Sequence, residues 1–192
     1  MSKSYSFRVA GQFAGVTSFT DDDGEDVNFL KVDYFGGSQS IPVPADKVDM
    51  FEKKPIGCDV RASGTMVVSK GAFRPVLSSL SFEGDKDFDL VSMEESMSGM
   101  VMHGPANLVR KNSFKRKDGQ LVCEGVFWLY GGSFTLQCDP ACYARMEPGL
   151  CSFEAQVLTE VSSSVTSSGK REVKTNNWVH VMNVSPMGQK RK

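Results

Sequence analysis

Short runs in which apolar residues alternate with other residues recur along the whole chain, which is the period of a half-buried β-strand. Phe7, Val9, Gly11 and Phe13 open the series, and the turn-rich Thr20-Asp21-Asp22-Asp23-Gly24 closes the first run. The pattern then predicts strands over Val27–Phe35 and Gln39–Val43, joined at Gly36-Gly37, where two residues without a Cβ permit the positive φ of a tight hairpin. Ala45–Phe51 suits one helical turn, and Cys58–Val68 and Phe73–Phe82 complete a set of five strands. A second set follows over Gly99–Val109, Leu121–Tyr130, Phe134–Cys138, Gly149–Val161 and Asn177–Val184. Between the sets, Gly84–Ser98 mixes Asp, Glu, Ser and Met, which suits a linker or short helix better than a strand.

The two sets are copies of one unit. Asp23-Gly24 returns as Asp118-Gly119 and Gly36-Gly37-Ser38 as Gly131-Gly132-Ser133, both at a shift of 95 residues. The same shift pairs Ser18-Phe19 with Ser113-Phe114 and Val27 with Val122. A two-residue deletion then aligns Pro55 with Pro148, Cys58 with Cys151 and Ala62 with Ala155. Five strands, a long hairpin between the second and third, and a helical element before the fourth fit the OB-fold, a five-stranded Greek-key barrel. An SH3-like barrel has similar strand lengths and stays open as an alternative. The expected fold class is therefore all-β: two tandem five-stranded OB-like barrels related by internal duplication, over residues 1–90 and 91–192.

Composition limits what such a chain does. Hydrophobic residues make up 40% and charged ones 23%, the balance of a globular chain. No apolar run approaches the ~20 residues that span a bilayer, and the polar start MSKSYSFRV lacks a secretory core, so a soluble, cytoplasmic protein without a membrane partner is expected. Cys58, Cys123, Cys138, Cys142 and Cys151 form no CxxC pair and stand apart from His103 and His180, so free buried thiols and no metal or other cofactor are expected. No GxSxG, phosphate loop or dinucleotide glycine fingerprint is present, which argues against an enzyme. The acidic run Asp21–Asp26 lacks the ligand spacing of a calcium loop and reads as a solvated turn.

Charge divides the copies. Residues 1–90 carry 10 Lys and Arg against 14 Asp and Glu, and residues 91–192 carry 12 against 9. In copy 2 the cations cluster: Arg110, Lys111, Lys115, Arg116 and Lys117 fall between expected strands one and two, and Lys170, Arg171 and Lys174 in an expected loop over Ser162–Asn176. Those loops flank the ligand face of OB-folds. Trp128 and Tyr130 share one side of a strand whose other side holds Phe127 and Leu129, and Trp178 stands on the last strand. Cations along a groove with rings for base stacking are the equipment of a single-strand binder. Each feature alone has a plainer reading, rings as core and cations as solvated loop; their co-location points to nucleic acid. Copy 1 offers Lys31, Tyr34, Arg61, Lys70, Phe73 and Arg74 as weaker candidates beside an acidic first loop.

Phe51-Glu52-Lys53-Lys54-Pro55-Ile56-Gly57-Cys58-Asp59-Val60, the hairpin Lys70-Gly71-Ala72-Phe73-Arg74, and Met146-Glu147-Pro148-Gly149-Leu150 in copy 2 resemble the second half of the small helix-destabilising, single-stranded DNA-binding proteins of filamentous phages. That resemblance implies OB-type barrels that pair as dimers and bind single-stranded DNA through loop-tip aromatics and basic strand residues, with Arg61, Phe73 and Arg74 as the corresponding positions. The expected partner is single-stranded DNA or RNA, with pairing of the two halves or a homo-oligomer left open. The rival expectation is a protein-interaction module, for which Met93, Met97, Met100 and Met102 would supply an adaptable apolar contact.

Overall fold

The computed structural model describes residues 5–20, 23–69 and 72–187. Copy 1 holds β1 (Tyr5–Thr20), β2 (Asp26–Tyr34), β3 (Gly37–Val43), a 3-10 helix (Ala45–Met50), β4 (Asp59–Ser69) and β5 (Ala72–Phe82). Helix α1 (Met93–Ser98) lies in the connection, started by a capping box between Ser92 and Glu95. Copy 2 holds β6 (Met100–Lys115), β7 (Leu121–Leu129), β8 (Gly132–Cys138), α2 (Pro140–Arg145), β9 (Gly149–Val165) and β10 (Arg171–Pro186).

The duplication is visible to the residue. β1 and β6, β2 and β7, β3 and β8, and the two short helices begin and end 95 positions apart. Even an irregularity recurs: Ala14 is the extra residue of a bulge in β1, and Val109, 95 positions on, plays that part in β6. Beyond the helices the shift changes. Tyr5 faces Met66 on β4 while its equivalent Met100 faces Val157 on β9, so β4 maps onto β9 at 91 residues, not at the 93 that the Pro55 and Cys58 alignment implies. A slip of two keeps every side chain on its own face, which is why matching by residue type did not expose it. Ser78 and Met182 are the extra residues of a second shared bulge, which places β5 onto β10 at 104. Between shifts of 91 and 104 the β9–β10 hairpin has grown by 13 residues over its copy-1 counterpart.

Copy 2 closes into a barrel in the order β6-β7-β8-β10-β9-β6. All pairs are antiparallel except the closing one, where His180 and Val181 pair in parallel with Gln137 and Cys138. That is the OB-type Greek key, and it excludes the SH3-like alternative for this half. Copy 1 repeats the pairs β1–β2, β2–β3, β1–β4 and β4–β5, but no β3–β5 ladder forms among the described residues, so it is not a second closed barrel. The reason is in the sequence. Pro42 occupies the position of Gln137, which pairs with β10 in copy 2, and has no N–H to give. Pro75 removes a second donor from β5.

The halves share one core. Ser6, Phe7 and Arg8 of β1 pair with His103, Met102 and Val101 of β6, so a single sheet runs from one copy into the other. Tyr5 is buried against Tyr130 and Phe153, where Gly104 leaves room for its ring, and its Oη accepts a hydrogen bond from Tyr130 N–H at 3.2 Å. Phe73 of β5 packs on Phe134 of β8 at 5.1 Å. The equivalents of that pair, Asn177 and Gln39, are polar: Thr159 N–H donates to Gln39 Oε1 and Thr159 Oγ1 donates to Asn177 Oδ1. One half of the junction is aromatic and the other an amide network.

Candidate nucleic-acid interface

The cations expected in two loops of copy 2 stand instead on two hairpin arms. β6 and β7 stay paired out to Lys115 and Leu121, so Arg110, Lys111 and Lys115 are strand residues and only Arg116 and Lys117 lie in the turn. β9 and β10 stay paired out to Val165 and Arg171, which puts Arg171 and Lys174 on a strand and Lys170 in the turn. Both arms end in the same five-residue turn. Arg116 N–H donates to Gln120 O and Gly119 N–H to Arg116 O; Thr166 N–H donates to Lys170 O and Gly169 N–H to Thr166 O. Gly119 and Gly169 hold φ of 85° and 83°, which a side chain disfavours. The arms project clear of the core and so lack the one-sided apolar alternation that marks a strand in sequence.

Between the arms, alternation on the barrel wall aims the aromatic residues. Phe127 and Leu129 fill the interior, and Trp128 and Tyr130 are 61% and 51% exposed. Trp178 on β10 is 51% exposed. It lies two residues before His180 as Thr135 lies two before Gln137, and Trp128 faces Ser133 on the same strand. Both tryptophans therefore share the outer face of β7-β8-β10, with Trp178 just beyond the two-pair β8–β10 ladder. Arg110 stands opposite Val126, the next outward position beyond Trp128 on β7.

Not every basic residue is available. Lys111 donates to Tyr143 O at 3.0 Å and lies over the Tyr143 ring, tying β6 to α2. Lys174 pairs with Glu172 at 3.1 Å but keeps more than half its side chain in solvent. Arg110, Lys115, Arg116, Lys117 and Lys170 are exposed, as is Arg171.

Copy 1 is built differently at the same places. The equivalents of Trp128 and Trp178 are Asp33 and Arg74, so the matching face lacks the tryptophan pair, although Phe35 stands exposed at the position of Tyr130. Arg61 is bound elsewhere: its guanidinium makes two bonds to the Glu95 carboxylate at 2.6 and 2.8 Å and donates to the carbonyls of Asp89 and Leu90, clamping the connection to β4. Phe73 is buried in the junction, not exposed at a hairpin tip. Lys31 and Arg74 are exposed, Tyr34 is half-buried against Gly99, and Lys70 lies outside the described residues, as do Asp21 and Asp22.

Two cavities adjoin this framework. One of about 430 Å³ lies between α1 and β1, β4 and β5, and its wall includes the Arg61–Glu95 pair. The other, about 410 Å³, opens where β8 and β10 part beyond their two-pair ladder. Phe73, Phe134, Gln137, Gln156, Trp178 and His180 line it, and His180 Nε2 lies 3.2 Å from Asp139 Oδ1. The sequence held no local signal for this cleft, since it depends on where two strands distant in the chain diverge. The cysteines hold no metal-binding group among the described residues, and burial pushes the Cys138 thiol up to about 12.

No protein-family model and no curated protein matches this chain. Among solved structures, the wild-type single-stranded DNA binding protein from Thermus aquaticus matches over 98% of this chain and 95% of that one, with a TM-score of 0.53 and 9% identity. A deletion variant of the same protein matches over 97% and 95%, with a TM-score of 0.49 and 9% identity. At such identity the likeness speaks for architecture alone: over its full length this chain is similar in fold to a tandem of OB-type barrels.

Proposed function

We propose that this protein binds single-stranded nucleic acid, DNA in the first instance, on the outer face of β7-β8-β10, and that it is a binding protein and not an enzyme. The observation that carries this reading is the pair Trp128 and Trp178, both half or more exposed on one face between two arms bearing Arg110, Lys115, Arg116, Lys117, Lys170, Arg171 and Lys174. A large ring held in water on a barrel wall forgoes burial worth ~2–3 kcal/mol, which base stacking of ~1–3 kcal/mol per base would recover. On this reading residues 91–192 are the binding unit and residues 1–90 a barrel-derived support without the tryptophan pair and without the basic arm.

The test is anisotropy of a labelled single-stranded oligonucleotide at low and moderate salt, with the full chain and with Trp128→Ala. Tight, salt-sensitive binding that the substitution weakens about tenfold or more supports the reading. A protein that ignores the oligonucleotide at low salt sinks it. Leu90, Phe35 and Ile56, each at least 70% exposed on copy 1 or the connection, favour a second reading in which that side docks another protein. Such an apolar contact would persist at high salt.

A further inference from the structure

The cleft between β8 and β10 has a composition that sets it apart from the arms above it. Its lining holds no Lys, Arg, Asp or Glu. The floor is apolar, with Phe134 backed by Phe73 from the other half at 5.1 Å, and with Leu136 and Val179 beside them. One lip is the exposed Trp178 ring. Amides flank the opening. Gln156 Nε2 donates to Ser98 O at 3.0 Å, which orients that amide, while Gln137 makes no hydrogen bond through its side chain among the described residues.

Where β8 and β10 separate, they also end their ladder after two pairs, so backbone groups of both strands border the opening. A cleft whose one ionisable lining group, His180, is engaged by Asp139 at 3.2 Å, and which has an aromatic lip, an apolar floor and amides that both donate and accept, suits a flat, neutral ring with a mixed donor and acceptor edge. It does not suit a phosphate or a carboxylate, since it holds no Lys or Arg and its His180 already faces the Asp139 carboxylate. The cations stand outside: Lys174 is four residues from Trp178 along β10, about 13 Å, with the same outward facing. Charge outside and a neutral, amide-edged cleft inside is the division that one nucleotide presents, phosphate against base.

We propose that this cleft takes one unstacked nucleobase, stacked on Trp178 and read at its hydrogen-bonding edge by Gln137, with Gln156 as the fixed second amide. The proposal rests on the single-strand reading above and adds to it that binding is base-selective, and that the first half contributes a wall of the selective site through Phe73. Gln137 is therefore a specificity residue, whereas Trp128 and the arm cations serve any sequence.

The experiment compares labelled dT12, dC12 and dA12 by anisotropy at one salt concentration, using the full chain, Gln137→Leu and Trp128→Ala. Gln137 is exposed, so its replacement leaves the core intact, and circular dichroism checks this. The expected result is that the wild type prefers one homopolymer, that Gln137→Leu weakens the preferred one about tenfold so that the three affinities converge, and that Trp128→Ala weakens all three alike. Equal wild-type affinities, or a Gln137→Leu effect of the same size on all three or on none, overturns the base cleft and leaves single-strand binding standing. Failure of the wild type to bind any of the three overturns both.

Discussion

Phe7 on β1 lies directly opposite Met102 on β6, and the two are the same position of the duplicated unit, 95 residues apart. Their neighbours follow the same rule. Ser6 faces His103 and Arg8 faces Val101, so each half offers the other the same three positions in reverse order. This is the isologous contact of a two-fold dimer, contained in one chain. Elsewhere the symmetry has been spent on difference: Phe73 with Phe134 at one side of the junction, Gln39 with Asn177 through Thr159 at the other.

A junction made of paired strands and a shared core should melt as one unit. Gly131 is its tightest point, since a Cβ there would run into the backbone carbonyl of Val68. Gly131→Ala is expected to destabilise the whole chain by about 2 kcal/mol, read as a lower midpoint of a single urea transition. Two separate transitions in the wild type would contradict a joint core.

The Arg61–Glu95 clamp gives stability a pH dependence. The side-chain hydrogen bonds from Arg61, with a further backbone bond from Ser92, hold the Glu95 carboxyl down to about 2 from an ordinary 4.5. Because the folded value lies below the unfolded one, the contribution is complete above about pH 4.5 and fades as the pH falls toward 2. Both side chains are nearly a third exposed, so solvent screening limits the effect to about 1 kcal/mol. Glu95→Gln should flatten the acid limb of a stability profile in that window, and an unchanged limb would show that the clamp contributes nothing.

Four of the five thiols are buried and Cys58 is partly so. Burial pushes Cys138, Cys142, Cys151 and Cys58 up, so little thiolate exists at neutral pH. Titration with an aromatic disulfide reagent should modify one cysteine at most in the native protein within minutes and all five in denaturant. Rapid reaction of several would mean that the second barrel opens readily.

The tip cations Lys115, Arg116 and Lys117 should act through phosphate alone. Replacing all three by alanine is expected to reduce the slope of log affinity against log salt by about 2 while leaving any base preference as it was. A changed preference with an unchanged slope would assign them to base contact instead.

Much of this architecture was legible in the residues, and the failures have physical causes. Alternation correctly sorted Phe127 and Leu129 from Trp128 and Tyr130, because a barrel wall has one wet and one dry side. The same rule failed at Arg110–Lys117 and Ser162–Asn176, which read as loops because an arm wet on both sides has no alternation to show. Copy 1 was expected to close like copy 2, yet Pro42 on β3 and Pro75 on β5 each lack a donor for a pairing that their own neighbours do not reveal. Arg61 looked like a free cation because its partner Glu95 lies 34 residues away.

The 17 residues between Phe82 and Met100 carry a consequence for behaviour on dilution. Two unlinked halves meeting at Phe7 and Met102 would separate once their concentration fell below the dissociation constant. Joined by so short a tether, each half sees the other at an effective concentration in the millimolar range, whatever the number of molecules in the tube. The contact thus persists at copy numbers where a dimer would be lost. Each half is also free to change without an identical change being imposed on its mate, and a tryptophan pair on one half alone is what that freedom permits.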